Sequence, residues 1–276
     1  MSSDGRDQDV HGADENAHLR IDTSRPHTAR VWNYWLGGKD NYEVDRETGD
    51  QIRRLHPGIG EYARADRRFL GEAVSYLARE AGIRQFLDIG TGLPTADNTH
   101  EVAQRVAPES RVVYVDNDPI VLVHAQALLT GTREGSTHYL DCDLRDVDTI
   151  LERAAETLDF GRPVGLILLG VVIFVEDDEE SYGIVRRLLD ALPSGSHLAL
   201  SHTVTSPGMP DVDDAVAFWN ANGTPKLTQR TPEQIERYFD GLELLEPGVV
   251  SCSRWQPGSS LDAPDVAMFG GVGRKP

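Results

Sequence analysis

The chain has few cysteines, no long apolar run and a deficit of positive charge. Its 276 residues include two cysteines, Cys142 and Cys252, whose spacing fits neither a disulfide framework nor a metal-binding motif. This usage agrees with a reducing cytoplasm. No apolar run approaches the roughly 20 residues needed to cross a bilayer, and no signal-peptide core stands near the start. We therefore expect a cytoplasmic protein that has no membrane partner and no metal site.

Acidic residues outnumber basic ones. Lys and Arg number 27 against 45 Asp and Glu, which gives a formal net charge of −18. Proteins that bind nucleic acids rely on basic patches that release counterions. The basic cluster at residues 64–68 is interleaved with acid, and we interpret it as a solvated helix face. The charge balance therefore predicts a small-molecule substrate and no nucleic-acid partner.

The hydropathy pattern divides the chain into three parts. Residues 1–22 are polar and acid-rich, and we expect a disordered tail because they cannot bury enough apolar surface to offset their ordering entropy. Residues 23–82 have a helical pattern and are predicted to form a cap. Residues 83–276 alternate apolar strands with amphipathic helices. This part predicts an α/β core with a mostly parallel, seven-stranded sheet and helices on both faces.

A glycine turn follows a short apolar strand at residues 86–95, and the core is organised around it. The sequence there is FLDIGTGLPT. Two glycines separated by one residue permit a tight turn and let a ligand approach where a Cβ atom would collide. We therefore predict that Gly90, Thr91 and Gly92 bind a nucleoside cofactor.

Two residues of this segment discriminate between cofactors. A dinucleotide fingerprint needs a third glycine, where this chain has Thr95, to hold a pyrophosphate. Asp88 lies two residues before the first glycine, where it would repel a phosphate and suit an ammonium or hydroxyl group. S-adenosylmethionine carries an ammonium, a ribose and a sulfonium but no phosphate. The loop therefore favours S-adenosylmethionine, and an NAD-dependent oxidoreductase is the less favoured alternative.

Acidic residues also follow the second and third predicted strands. Asp116 is expected to accept hydrogen bonds from the ribose hydroxyls, while Asn117 packs against the adenine. Asp143, in the sequence DCDL, can accept a hydrogen bond from the adenine amino group. Leu144 and Gly170 complete the predicted cofactor site. The alternative is that both aspartates only cap the helices that follow them, but an acid after each of three successive strands favours the methyl donor.

An aromatic segment lies in the predicted cap. Pro26 and the glycine pair at 37–38 predict the start and end of a short helix. This helix is aromatic nearly all round, so it must pack on more than one side. We predict that Trp32, Tyr34 and Trp35 form a lid over the cofactor, where aromatic faces would favour a sulfonium. The alternative is a helix packed permanently against the edge of the sheet.

His202 and Tyr34 are the candidates for a general base. Methyl transfer from a sulfonium is an in-line displacement that depends mainly on alignment and exclusion of water. A base is needed only if the acceptor is protonated at the working pH. A structural role is the simpler interpretation of both residues, so the sequence assigns no catalytic residue.

Six segments carry a resemblance to a known family. They are PHTARV at 26–31, LGGKDN at 36–41, ARA at 63–65, RQFLDIGTGLPT at 84–95, VYVDNDP at 113–119 and LSH at 200–202. From about residue 24 onward, the chain resembles a bacterial family of S-adenosyl methyltransferases that was first described as a domain of unknown function. The resemblance implies a Rossmann-like class I methyltransferase fold, S-adenosylmethionine as cofactor and methyl transfer to an acceptor that the family does not specify.

The chain departs from the family pattern after its fourth strand. Similar sequences usually have a Leu-His pair where this chain has GVVIFV at residues 170–175. If that histidine serves proton transfer or substrate placement, this protein lacks it. A non-catalytic S-adenosylmethionine-binding protein therefore remains the alternative to an enzyme.

Overall fold

The computed structural model describes residues 21–128, 131–205, 208–255 and 264–276, with the backbone alone for 125–128. Of the predicted tail, residues 1–20 lie outside these ranges. Asp22, which is described, accepts a hydrogen bond from Arg30 Nη1 at its backbone carbonyl, at 2.9 Å. The chain is therefore tied to the fold from the beginning of its described part.

Helices occupy the predicted cap and both faces of the sheet. Within the described ranges the α-helices are α1 Thr28–Trp35, α2 Glu43–Leu55, α3 Ile59–Arg79, α4 Thr99–Val106, α5 Pro119–Leu128, α6 Val147–Ala154, α7 Asp178–Asp190, α8 Pro210–Asn222 and α9 Pro232–Glu236. Short 3-10 helices lie at Val172–Phe174 and Arg237–Phe239. In the part of the chain that is described, no helix is both long and apolar enough to cross a membrane.

A single sheet of eight strands forms the centre of the molecule. The strands are β1 Gln85–Ile89, β2 Arg111–Asp116, β3 Ser136–Asp141, β4 Gly165–Leu169, β5 His197–Thr203, β6 Glu243–Leu244, β7 Val250–Ser251 and β8 Met268–Arg274. The spatial order is β3-β2-β1-β4-β5-β8-β6, and β7 also pairs with β8. The first five strands are parallel, while β8 runs antiparallel to β5 and to both short strands.

The fold class predicted from the sequence is confirmed, but the strand count is eight instead of seven. The additional strand, β7, contains only two residues, too few to show an alternating pattern. The predicted boundary between cap and core, at residue 82, stays a prediction, and residues on both sides of it belong to the same hydrophobic cluster.

The long helix α3 lies directly across one face of the sheet. Phe69 and Leu77 on this helix are fully buried. A Cβ atom at Gly270 of β8 would lie 2.8 Å from the Phe69 ring, and one at Gly165 of β4 would lie 3.3 Å from Leu77 Cδ1. Because glycine permits this close approach, α3 is held against the sheet, with its first half near the carboxyl ends of the strands.

A buried ion pair joins α1 to α2. Arg30 Nε lies 2.9 Å from Asp45 Oδ2, and both side chains are almost completely buried. Asp45 Oδ1 also accepts a hydrogen bond from the backbone N–H of His27, at 3.0 Å. A buried pair of this kind is costly to break because one charge would remain without its partner. The contacts fix the beginning of α1 in one position relative to α2.

Candidate functional site

A cavity of about 380 Å³, here named the main cavity, lies at the carboxyl ends of β1, β2 and β4. It opens where the strand order reverses, since β1 pairs with β2 on one side and with β4 on the other. Ligands of open α/β sheets bind at such a switch point. The first turns of α1 and the middle of α3 close the cavity from the opposite side.

The glycine turn forms the floor of the main cavity. Gly90 and Gly92 both have positive φ, at +77° and +62°, a conformation that favours glycine. A Cβ atom at Gly90 would collide with the side chain of Val171. At Gly92, no described atom lies within 4 Å of the place a Cβ would take. Gly90 therefore serves close packing between two loops, whereas Gly92 leaves open space for a ligand.

Asp116, at the end of β2, is bonded directly to this turn. Its Oδ2 accepts a hydrogen bond from the backbone N–H of Gly92 at 2.8 Å, and its Oδ1 accepts one from the backbone N–H of Asp118 at 3.0 Å. Burial in the cavity wall raises the pKa of Asp116 to about 6. Each carboxylate oxygen has a second lone pair, so the side chain can still accept bonds from ligand hydroxyls.

Asp88, at the end of β1, is buried beneath the turn. Its Oδ2 accepts a hydrogen bond from the Thr99 hydroxyl at 2.6 Å. Burial raises the pKa of Asp88 to about 6, and the charge of the neighbouring Asp116 acts in the same direction. The Thr99 hydroxyl and the Arg67 guanidinium offset only part of this cost of ionisation, and a cationic ligand group would offset more of it.

Asp143 and Asn117 face one another across the carboxyl ends of β3 and β2. Asn117 Nδ2 donates to Asp143 Oδ2 at 2.9 Å, and the backbone N–H of Arg145 donates to Asp143 Oδ1 at 2.8 Å. Both side chains line the main cavity together with Leu144. Gly170, at the end of β4, lines it as well and has a φ of +57°. All the predicted cofactor residues thus lie around one space.

Asp66 is a cavity residue that the sequence interpretation missed. It lies on α3, is 6% exposed, and accepts a hydrogen bond from the Ser201 hydroxyl at its Oδ1, at 2.6 Å. Burial raises the pKa of Asp66 to about 6. The interpretation of residues 64–68 as a solvated helix face holds for Arg64 and Arg68, which are exposed, but is wrong for Asp66.

Two further lining groups come from the helices above the sheet. Arg67, next to Asp66 on α3, donates to the backbone carbonyls of Ala96 and Asp97 at 2.9 and 3.1 Å. His27, at the N-cap of α1, places its Nδ1 2.8 Å from Asp118 Oδ2. These contacts fix a guanidinium and an imidazole at the rim of the main cavity.

The aromatic residues of α1 separate into different environments. Trp32 is among the described residues that line the main cavity, and Tyr34 and Trp35 are not. The Tyr34 hydroxyl donates to Asp50 Oδ1 at 2.7 Å, whereas Trp35 is buried and its Nε1 donates to the backbone carbonyl of Gly49 at 3.3 Å. Of the predicted lid residues, therefore, only Trp32 faces this site.

His202 lies in the core, outside the described lining of the main cavity. Its Nδ1 lies 2.8 Å from the backbone carbonyl of Thr203, and its Nε2 lies 2.7 Å from Arg230 Nη1. Both ring nitrogens have partners if Nδ1 carries the proton. Burial lowers the pKa of His202 to about 3. His202 is therefore a structural residue whose ring nitrogens both have partners. Of the two interpretations, general base and structural residue, the structural one holds.

The sequence matches a family model described as S-adenosyl methyltransferase over residues 14–276, nearly the whole chain. The chain belongs to the S-adenosyl methyltransferase family. The family predicted from the sequence motifs is therefore confirmed. No curated protein matches the chain.

Two solved structures resemble this member of the S-adenosyl methyltransferase family along nearly its full length. A DUF574 family protein from Streptomyces avermitilis MA-4680 is 48% identical, with a TM-score of 0.88, and the match covers 93% of this chain and 100% of that one. A protein from Thermobifida fusca YX to which methyltransferase activity is attributed is 40% identical, with a TM-score of 0.83, covering 92% and 96%. The cap and the core thus recur together in these relatives.

Proposed function

We propose that the protein is an S-adenosylmethionine-dependent methyltransferase that acts on a small-molecule acceptor. The observation that carries the proposal is the bond between Asp116 and the backbone of Gly92 at the switch point of the sheet. In sites of this kind a nucleoside lies against the glycine turn, and a carboxylate after the second strand binds the ribose hydroxyls. Membership of the S-adenosyl methyltransferase family supports S-adenosylmethionine as that nucleoside.

The charges of the main cavity suit a cationic ligand that carries hydroxyl groups. Carboxylates outnumber cations among its described lining residues. The acids are Asp66, Asp88, Asp116, Asp118, Asp143 and Glu176, and the Arg and Lys residues are Arg67, Arg145 and Lys226. A pyrophosphate would face repulsion from most of these acids, whereas a sulfonium and an ammonium would be stabilised. The donor set therefore fits S-adenosylmethionine better than NAD.

Each predicted contact has a defined chemical task. When bound, S-adenosylmethionine supplies an electrophilic methyl group on a positively charged sulfur. Asp116 would accept bonds from the ribose hydroxyls, and Asp143 from the adenine amino group. Asp88 would accept from the ammonium group. Arg67 lies on α3 beside these acids, where it can pair with the carboxylate of the amino-acid end.

The protein contributes alignment and exclusion of water. Methyl transfer needs the acceptor atom in line with the bond that breaks. Helix α1 covers the main cavity and places the partly buried Trp32 in its wall. An aromatic face there favours a sulfonium, by about 0.5–2 kcal/mol. The predicted lid function is proposed for Trp32, while Tyr34 and Trp35 would support it from behind.

A non-catalytic S-adenosylmethionine-binding protein is the second candidate. Its supporting observation is that His202 and Tyr34, the bases proposed from the sequence, bond to other residues outside the main cavity. Such a protein would bind the nucleoside equally well but would not consume it.

Calorimetric titration with S-adenosylmethionine, S-adenosylhomocysteine and NAD tests the cofactor. We expect the first two to bind and NAD to bind far more weakly. Tight binding of NAD alone would contradict the proposal. Release of S-adenosylhomocysteine in the presence of a fractionated small-molecule extract then separates the two candidates, because a binding protein releases none above the background without extract.

A further inference from the structure

A smaller second cavity of about 50 Å³ lies between the cap and α8. It adjoins the main cavity, since Thr28 and Trp32 line both. Most of its wall is apolar or aromatic. The described residues that carry this character are Val31, Trp35, Ile52, Ile59, Tyr62, Ile173, Val212, Ala215, Val216, Trp219 and Leu227. An apolar pocket that shares a wall with the main cavity can hold the apolar part of a second ligand.

His56 lines the second cavity and has a ring nitrogen without a hydrogen-bond partner among the described residues. It lies in the turn between α2 and α3, and its Nδ1 is 2.5 Å from Oδ2 of Asp211 in the first turn of α8. Its Nε2 is buried and has no hydrogen-bond partner among the described residues. Unpaired buried polar atoms are rare in native proteins, so this atom marks a position where a ligand can bond.

The ion pair with Asp211 determines which nitrogen of the His56 ring carries the proton. A carboxylate accepts hydrogen bonds, so in the neutral imidazole Nδ1 must carry the proton and Nε2 must present its lone pair. The Asp211 side chain is 44% exposed and remains ionised, because the bond to His56 lowers its pKa. The histidine is thus oriented by an acid on one side and able to take a proton on the other.

Two other polar side chains in the wall of the second cavity have hydrogen-bond partners. The Tyr62 hydroxyl lies 2.7 Å from Thr203 Oγ1. The indole N–H of Trp219 donates to the backbone carbonyl of Pro225 at 2.8 Å. The described wall therefore offers a mostly apolar surface on which His56 Nε2 is a buried acceptor without a partner. Such a surface suits an apolar or aromatic compound that donates one hydroxyl.

We propose that the second cavity is the acceptor subsite for a phenol-like hydroxyl compound and that His56 receives its proton. The inference rests on the proposed function, because the main cavity must supply the methyl donor. In the step, the acceptor O–H bond breaks and its proton moves to His56 Nε2. The acceptor oxygen bonds to the methyl carbon as the carbon–sulfur bond breaks, and that electron pair stays on sulfur.

Trp32 controls how large an acceptor can enter. A cavity of about 50 Å³ admits a hydroxyl group, whereas a cavity that binds a benzene ring has a volume of about 150 Å³. Trp32 is partly buried and forms the shared wall. Rotation of its ring would join the two cavities and place the acceptor beside the donor. His56 is the catalytic residue in this arrangement, and Asp211 is a positioning residue.

Nuclear magnetic resonance of protein with 15N-labelled histidine tests the contact without any turnover. Phenol at millimolar concentration is the probe, and anisole, which has no hydroxyl proton, is its matched control. We expect phenol to shift the Nε2 signal of His56 and anisole to leave it in place. Absence of a phenol-dependent shift, or equal shifts with both compounds, would overturn the proposal.

Variants test whether His56 accepts the proton of the acceptor or has only a structural role. With phenol as acceptor, His56→Gln should lower kcat about 100-fold or more, the usual contribution of a general base, while the affinity for S-adenosylmethionine is unchanged. Asp211→Ala, which removes the acceptor of the Nδ1–H bond, should reduce the fraction of His56 that carries its proton on Nδ1 in the 15N spectrum and lower kcat less. His138→Gln is the control, since His138 is exposed on β3. A kcat of His56→Gln equal to that of the control overturns the role of His56.

Failure of the inference can be told from failure of the proposed function. If calorimetry detects no binding of S-adenosylmethionine to the wild-type protein, the proposed function is contradicted. A phenol-specific shift at His56 would then show an acceptor-like site without a donor, and the catalytic part of the inference would be overturned. Donor binding without the shift at His56 overturns the inference alone.

Discussion

Asp116 and Gly92 are joined by a hydrogen bond of 2.8 Å between the Asp116 carboxylate and the Gly92 backbone N–H. The bond connects the end of β2 to the turn after β1, so the acid and the glycine hold one another in place. The two features that predict a nucleoside site from the sequence are therefore one structural unit. Several consequences of this arrangement can be measured.

The two glycines of the turn should respond differently to alanine. Both have positive φ, so each substitution costs about 1–2 kcal/mol of backbone strain. Gly90→Ala also collides with Val171, and we expect a larger loss of unfolding free energy in urea denaturation. Gly92→Ala meets no described atom within 4 Å. It should remain folded but bind S-adenosylmethionine more weakly, because its methyl group enters the main cavity.

A double variant controls for the collision. Removing bulk at the partner, as in Gly90→Ala with Val171→Ala, should recover part of the stability lost in Gly90→Ala. Equal stability of the Gly90→Ala and Gly92→Ala proteins would contradict the different roles assigned to the two glycines.

The pKa of Asp66 makes stability depend on pH. It is about 6 in the folded protein, above the value of about 4 expected in the unfolded chain. The folded state therefore binds this proton more tightly. The resulting stabilisation is complete below about pH 4 and is lost as the pH rises through about 6. Asp66→Asn cannot ionise, and its amide oxygen can still accept the bond from Ser201.

We expect Asp66→Asn to gain stability relative to the wild-type protein as the pH rises from about 4 to about 6. Urea denaturation of both proteins at each pH gives this difference directly. Asp148→Asn is the control, because the Asp148 side chain is 86% exposed. A stability difference that does not change with pH would show that Asp66 titrates like an ordinary surface acid.

The tryptophans of α1 provide a test of the proposed lid. Trp32 faces the main cavity, whereas Trp35 is buried against α2. Trp32→Ala should weaken the binding of S-adenosylmethionine, by about 0.5–2 kcal/mol if the ring faces the sulfonium, as measured by calorimetry. Trp35→Ala should instead lower the unfolding free energy by about 3–5 kcal/mol.

The sequence alone predicts that Trp35 contacts the cofactor. Weaker binding in Trp35→Ala with unchanged stability would restore that interpretation. Unchanged binding in Trp32→Ala would remove the lid function from α1.

Local patterns in the sequence were sufficient to predict the five parallel strands and the residues at their carboxyl ends that line the main cavity. Gly90, Asp116 and Asp143 follow strands whose apolar runs are visible in the sequence, and parallel strands bring their carboxyl ends to one edge. These features depend on residues close together in the chain, so their positions could be derived without a structure.

Contacts between distant segments were not predictable in the same way. Asp66 bonds to Ser201, 135 residues away, and His56 bonds to Asp211, 155 residues away. One signal for Asp66 was present, since it shares a helix face with Tyr62 and Phe69, both buried. An acid on an apolar stripe indicates a buried carboxyl, whereas nothing local distinguishes His56 from a surface histidine.

Calorimetric titration of the Asp116→Ala protein with S-adenosylmethionine tests the central claim most directly. Asp116→Ala removes both the acceptor for the ribose hydroxyls and the bond that orders Gly92. Loss of hydrogen bonds to a charged group costs about 1.5–3 kcal/mol, so we expect affinity to fall about 10-fold or more. The matched control, Asp148→Ala, removes an exposed acid paired with Arg187 and should bind like wild type. Equal affinity of both variants, with the Asp116→Ala protein still folded, would contradict the assignment of the main cavity as the methyl-donor site.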